Sequence, residues 1–391
     1  MTHTNNLTTT LFKIDNTGNT RQWTIRVEDL GEYSTLTVNS GIVNGKFVEQ
    51  ITKITNGLNI GKSNETTMFE QAQMNMQSEI NSKLKTGYVE DLKDFKGVGV
   101  KESGCPQVML AKTYDPNKKQ SGSKDLKGYK LEGVRIGIQH KFDGVRRLSH
   151  YINGQVTMYT RSGDISSTLP HIEMQLIEKC KFHNYNDIWF DGEAFTNKVS
   201  FNKVNGITRK GAKTLEDKIN TLLIDYHIYD VISTDSYQVR SEIIKNLSHD
   251  NIIPVETEYI IASTELLKSK FEEYIALGHE GLMIRQLDVP YEHKRSLYLL
   301  KYKAFDDSEF ICIDINPTSD NENKAGAMLV HFPNQPEIQF KATIVDTDDN
   351  CLDIFANKHI YIGQKVTVNY FGLSEYGIPR FPRVKGLRLN Q

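Results

Sequence analysis

Only four cysteines occur in 391 residues, and none forms a Cys-x-x-Cys pair. Cys105, Cys180, Cys312 and Cys351 therefore exclude a zinc site of ordinary spacing and a disulfide framework, and free packing thiols are expected. The chain has just 10 prolines, which with 38% hydrophobic and 25% charged residues excludes a disordered polymer. No apolar run approaches the length that spans a bilayer, which argues against a helical membrane protein. Met1-Thr-His-Thr-Asn-Asn6 lacks the basic start and apolar stretch of a secretory signal, and also the Arg-rich pattern of a transit peptide. The expectation is a soluble intracellular protein. An excess of one charge is missing too: net charge is -2 and the pI is near 6.6. A nucleic-acid partner then requires positive charge concentrated locally.

The length implies two or three units, each burying its own core. Residues 21–60 alternate apolar and polar, as in Trp23-Thr-Ile-Arg-Val27, with Asn44-Gly45 and Asn56-Gly57 as turns, and read as a small antiparallel sheet. Thr66 or Thr67 is placed to cap a helix whose Met68, Ala72, Met76, Ile80 and Leu84 recur at helical spacing and which closes at Gly87. Polar, glycine-containing stretches at 93–104 and 115–128 come next as separators. From Val134 to Phe305 strands such as 134–140, 188–195 and 222–232 alternate with helices near 169–180 and 263–276. After Asp306 short strands at 310–315, 327–331, 338–342 and 365–370 suit a small five-stranded barrel. The expected fold class is α+β multidomain: a small β+α module over 1–90, a central α/β domain over 91–305 and a β-barrel over 306–391.

The segment His140-Lys141-Phe142-Asp143-Gly144-Val145-Arg146 puts a lysine at the end of an apolar strand, with a carboxylate and a glycine close behind. Alone it also fits an exposed strand end and turn. The signal lies in the ordered series of motifs downstream of it: Tyr159-Thr-Arg161-Ser-Gly163, Phe190-Asp-Gly-Glu193, Tyr226-His-Ile-Tyr229-Asp230, Glu280-Gly-Leu-Met-Ile-Arg285 and Leu299-Leu-Lys301-Tyr-Lys303. Motif by motif this series resembles the covalent nucleotidyltransferase superfamily of ATP-dependent DNA ligases, RNA ligases and mRNA capping enzymes. The ligase branch fits best through the Glu280 to Arg285 run, Arg295-Ser, the Lys301-Tyr-Lys303 continuation and the basic tail.

The resemblance implies a central nucleotidyltransferase (adenylation) domain in which Lys141 is the nucleophile taking AMP from ATP. Arg146 and Arg161 would hold phosphates, Glu193 would contact the ribose, Tyr229 would stack on adenine, and Gln139 would read its edge. Lys301 and Lys303 would reach the α-phosphate. Glu280 would bind Mg2+, with Glu193 behind it. Physical chemistry points the same way: a lysine attacks phosphorus only as the free amine, so neighbouring cations and burial are needed to favour that form. Each residue also has a plain reading, Tyr229 as core and both glutamates as solvated carboxylates.

Arg380, Arg383, Lys385 and Arg388 place four positive charges in nine residues, the local concentration that the overall charge lacks. By resemblance the barrel is an OB-fold, and this segment orients pyrophosphate and contacts the DNA backbone. The first 88 residues resemble a WGR-type module without the Trp-Gly-Arg triplet, either a grip on DNA or a structural domain. Gly57 to Ser63 is one residue short of a phosphate loop. The implied protein is a compact ligase, monomeric, acting on nicked duplex DNA and similar to phage or viral enzymes, whose place would be the host cytoplasm. Rivals are an RNA ligase, a guanylyltransferase of the capping type, and a non-catalytic DNA-binding protein that keeps the fold.

Overall fold

The computed structural model describes residues 6–387 except 16, 115, 117–130, 304, 305, 319 and 320. Arg388 and, apart from Pro116, the stretch 115–128 lie outside the described residues. The chain divides into two compact units, one of residues 1–83, 90–92 and 304–391, the other of residues 84–89 and 93–303.

In the first unit, β1 (Asn6–Ile14), β2 (Thr20–Asp29), β3 (Ser34–Ile42) and β4 (Phe47–Ile54) pair antiparallel in chain order. β1 precedes the stretch that alternates most clearly and adds a strand to the expected sheet. Its Leu11 joins Trp23, Ile25 and Val27 of β2 in a fully buried row. The helix α1 (Met68–Lys85) starts at a capping box: Glu70 N donates to Thr67 Oγ1, and Thr67 N donates back to Glu70 Oε2. Ala72, Met76 and Ile80 are its buried face, as the spacing predicts.

The second unit contains β5 (Leu110–Thr113), β6 (Arg135–His140), β7 (Val145–Ile152), β8 (Gln155–Thr160), α2 (Pro170–Phe182), β9 (Asp187–Phe195), α3 (Phe201–Lys210), α4 (Leu215–Thr221), β10 (Asp225–Val231), α5 (Tyr237–Lys245), β11 (Ile252–Pro254), β12 (Glu258–Ile261), α6 (Thr264–Ala276), β13 (Gly281–Gln286) and β14 (Arg295–Lys303). These make two five-stranded sheets, ordered β11-β10-β9-β7-β8 and β12-β6-β13-β14-β5. Although strands and helices alternate, pairing is mostly antiparallel; only β10 with β11 and β14 with β5 run parallel. Each sheet packs one apolar face against helices, and smaller apolar groups, Leu148 with Trp189 and Met283 with Leu299, lie on the other. In the first, Phe190, Tyr226 and Ile228 pack with Ile172, Leu176 and Ile244 of α2 and α5. In the second, Ile136, Ile138, Leu282, Ile284 and Leu300 pack with Leu267 of α6. The strand period of two then sends the alternate residues, among them Gln139, Met283, Arg285 and Lys301, to the opposite face.

Returning to the first unit, β15 (Asp306–Pro317), β16 (Ala325–Phe332), β17 (Gln335–Thr343), β18 (Lys365–Tyr370) and β19 (Arg383–Leu387) close into a barrel in the order β15-β16-β17-β19-β18. The expected strands are all present. The basic tail itself supplies the closing strand β19. Between β17 and β18 lies a helix, α7 (Asp348–Ala356), that strand spacing did not suggest; Thr347 caps it, and Cys351 and Ile354 enter the barrel core. All four cysteines are free and buried, as expected.

Candidate active site

The chain passes from one central sheet to the other at the four-residue turn Lys141–Gly144, between β6 and β7, and returns at 255–257, between β11 and β12. The nucleophile candidate is therefore fixed at a crossing point of two sheets. Backbone pairing continues past the end of β6: Lys141 N donates to Gly281 O (2.8 Å) and Glu280 N to Lys141 O (3.3 Å). This places Lys141 opposite Glu280, and their side chains form an ion pair. Gly281 has φ +143°, and a Cβ there would stand 2.2 Å from Tyr302 O, so only glycine permits this approach of β13 to β14. Gly144 is likewise required by contact, since a Cβ would meet Ala194 O at 2.6 Å and Glu193 Cγ at 2.7 Å.

Across the second sheet Gln139, Met283 and Lys301 stand in one rank, and Gly281 pairs with Lys303 in the next. Lys303 Nζ lies 3.7 Å from Glu280 Oε1. Burial lowers the pKa of both Lys301 and Lys303, and the charge of Lys141 pushes each the same way. A cluster of three ammonium groups around one carboxylate is short of negative charge, the condition that attracts a polyphosphate. The cavity in front of them, about 830 Å³, is lined by Lys141, Arg146, Arg161, Glu193, Tyr229 and Lys301 among others. That volume suits a nucleotide-sized ligand.

Glu193 reaches the cavity from β9, where burial raises its carboxyl to about 7 against the pull of Lys141 and Arg146. Tyr229 occupies a β-bulge: Ile228 pairs with Gly192 and Asp230 with the adjoining Asp191, leaving Tyr229 without an opposite number. The bulge re-aims its ring, whose hydroxyl donates to Glu193 Oε2 at 3.4 Å. Arg161 lies in the exposed turn after β8.

Two expected ligands have other partners. Arg146 lines the cavity, but its Nε donates to Asp191 Oδ1 (2.8 Å), and its Nη2 donates to Asp191 Oδ2 and to Met109 O. Its charge is thus anchored at the floor of the cavity, because Asp191 on the neighbouring strand faces the same way as Glu193. Gln139 is also committed, accepting from Arg285 Nε (2.7 Å) and donating to Thr257 Oγ1 (3.1 Å). Both belong to a buried polar network to which the sequence motifs assign no role. Asp230 accepts from Arg240 Nε (2.7 Å) and Arg285 Nη1 (2.6 Å), and Asp191 accepts from Tyr291 (2.6 Å). Asp191, Asp230 and Arg285 stood inside the quoted motifs. For Asp191 and Arg285 the available signal was their spacing of two from Glu193 and from Met283.

His140 and His279 immediately precede Lys141 and Glu280, and their rings stack 4.3 Å apart. Burial, with His279 and His227 nearby, lowers His140 to about 4, and burial lowers His279 as well. In the other unit, Arg380 lies over the rings of Phe371 and Phe381, and Lys385 pairs with Asp307. Arg383 is exposed at the start of β19.

Among the described residues no group of three or more His, Cys, Asp or Glu could hold a metal ion. Glu280 and Glu193 alone suit a hard cation that keeps several waters and takes further oxygens from phosphate, which is the habit of magnesium.

Residues 109–303 match the family model described as ATP dependent DNA ligase domain. This region is an ATP dependent DNA ligase domain. The Lys141 turn, both glutamates and the paired lysines all fall inside the ligase domain. Over 363 residues the chain is 24% identical to a DNA ligase of African swine fever virus, covering 87% of this chain and 80% of that one. A DNA ligase of Methanococcus maripaludis is 27% identical over 183 residues, covering 39% and 31%. A solved structure described as "DNA binding with a minimal scaffold: Structure-function analysis of Lig E DNA ligases" superposes with TM-score 0.57 at 21% identity, covering 73% of this chain and all of that one. That likeness is one of fold. Among the described residues no helix is long and apolar enough to cross a membrane.

Proposed function

We propose that this ATP-dependent DNA ligase seals nicks bearing a 5′-phosphate and a 3′-hydroxyl through a covalent lysyl-AMP. Lys141 Nζ attacks the α-phosphorus of ATP and pyrophosphate leaves; AMP then passes to the 5′-phosphate; the 3′-hydroxyl finally displaces AMP and the phosphodiester forms. The observation that carries this reading is the Lys141–Glu280 pair at the cavity wall with Lys303 beside it. Glu280 is in hydrogen-bond contact with the amine and orients it toward the α-phosphorus. Lys301 and Lys303 stabilise the charge that develops on the α-phosphate, a task of positioning and electrostatics. Glu193 holds the ribose, Tyr229 faces the adenine and Arg161 holds phosphate. Arg146 holds phosphate and Gln139 reads the adenine edge, each steadied by its own partner, Asp191 for Arg146 and Arg285 for Gln139. Magnesium, held by Glu280 with Glu193 behind it, would neutralise phosphate oxygens.

By the same reading the domains are a WGR-like module (1–90), the adenylation domain (91–305) and an OB-fold (306–391). The closed five-stranded barrel supports the last of these. The basic segment at Arg380, Arg383, Lys385 and Arg388 serves pyrophosphate and the DNA backbone, and the enzyme works as a monomer in the cytoplasm.

The test is incubation with magnesium and α-labelled ATP or GTP, followed by a chase with nicked DNA or nicked RNA duplex. Label from ATP that is discharged as DNA is joined, and is absent in Lys141→Arg, is the expected result. Label from GTP, or joining confined to RNA, would move the protein to another branch of the superfamily. No label at all would leave a binding protein.

A further inference from the structure

Arg161 stands on an exposed turn, yet the turn is held from beneath by a buried cation. Lys101 is only 6% exposed, and its Nζ donates to Arg161 O at 2.7 Å. Its other contact is Cys105 Sγ at 4.0 Å, and among the described residues no carboxylate pairs with it. The Lys101 stem also supports Gly163: a Cβ on that residue, which has φ +96°, would stand 2.6 Å from Lys101 Cδ. Lys101 itself is set by a tight turn in which Lys101 N donates to Cys105 O (2.9 Å) and Val100 bridges Pro106. A second tie reaches the same loop: Lys85 Nζ lies 2.8 Å from Asp164 Oδ1, and Asp164 also accepts from Ser162 (2.6 Å).

A buried ammonium with one carbonyl oxygen for a partner is costly, and replacing such a group by an apolar side chain of similar shape is often neutral or stabilising. Packing therefore does not account for a lysine here. Its charge lies among Arg146, Asp191 and Asp164, all of which bear on it electrostatically, so it adds positive potential behind the cavity.

We propose that Lys101 is a positioning residue for Arg161. It fixes the turn 160–164 so that Arg161 meets the phosphates of ATP, and with Lys85 it ties the second unit's residues before 109 to that turn. The inference rests on the reading of Arg161 as a phosphate ligand.

The test is a double-mutant cycle on the full chain with Lys101→Met and Arg161→Ala, measuring KM for ATP and maximal rate of self-adenylylation together with the thermal midpoint. Lys101→Met is expected to unfold at the same or a higher temperature while KM rises about tenfold and the maximal rate changes less than about threefold. Added to Arg161→Ala it should change nothing further, because it acts through that residue. Lys101→Arg, which keeps donors at the carbonyl, should recover much of the loss. If Lys101→Met does not fold, Lys101→Gln takes its place in the cycle. An unchanged KM in the Lys101 variant, or effects that simply add, would overturn the inference. An unchanged KM in Arg161→Ala alone would instead remove the phosphate role beneath it, and the inference with it.

Discussion

Lys141 and Glu280 are 139 residues apart in sequence and meet as an ion pair, because β6 and β13 hold their backbones side by side at the point where the chain leaves one sheet for the other. Glu280→Gln keeps the shape and loses the charge. Self-adenylylation should fall by about a hundredfold or more, the scale for loss of a group acting at the reacting centre. Circular dichroism and thermal midpoint should stay close to the parent. A variant that labels normally would sever Glu280 from the chemistry.

The Asp230 carboxylate serves two guanidinium groups, and Asp230 and Arg240 are each only 1% exposed. Asp230→Asn leaves both cations short of a counter-charge in the interior. A loss of about 3–5 kcal/mol is expected by denaturant titration, the range for removing one member of a buried pair. Because Arg285 also holds Gln139, adenylylation should weaken along with stability.

Two glycine substitutions should move in opposite directions. At Gly144 a Cβ collides with backbone of β9, so Gly144→Ala is expected to lower both the melting temperature and the rate of lysyl-AMP formation. At Gly206, inside α3, a Cβ meets nothing within 4 Å. Gly206→Ala should therefore stabilise by about 0.5–1 kcal/mol without changing activity.

Glu193 gives a pH dependence of known sign. Its carboxyl is raised to about 7 by burial, from an ordinary value of 4.5, so between those values the folded protein binds more protons than the unfolded one. Its contribution to stability is fully present below about 4.5 and is lost as pH rises through about 7. In metal-free buffer without ATP, the melting temperature of Glu193→Gln should fall less than that of the parent between pH 5 and 8. Parallel curves would contradict the raised value.

The strand and helix pattern, the closing glycine of α1 and the ordered series from Lys141 to Lys303 were legible in the sequence. Period-two and helical spacing report burial locally, and the short motifs carry the residue types that phosphate chemistry uses. The sequence alone thus determined most of the elements, though not β1 or α7, with their approximate bounds, and the candidate residues of the ligase domain. Only the tertiary structure decided how those candidates divide their work. That Arg146 is anchored by Asp191 and Gln139 by Arg285 depends on which strands become neighbours, and pairing between distant segments leaves no local trace. The bulge at Tyr229 and the buried Lys101 under the Arg161 turn are of the same kind, since each owes its role to a partner from another part of the chain.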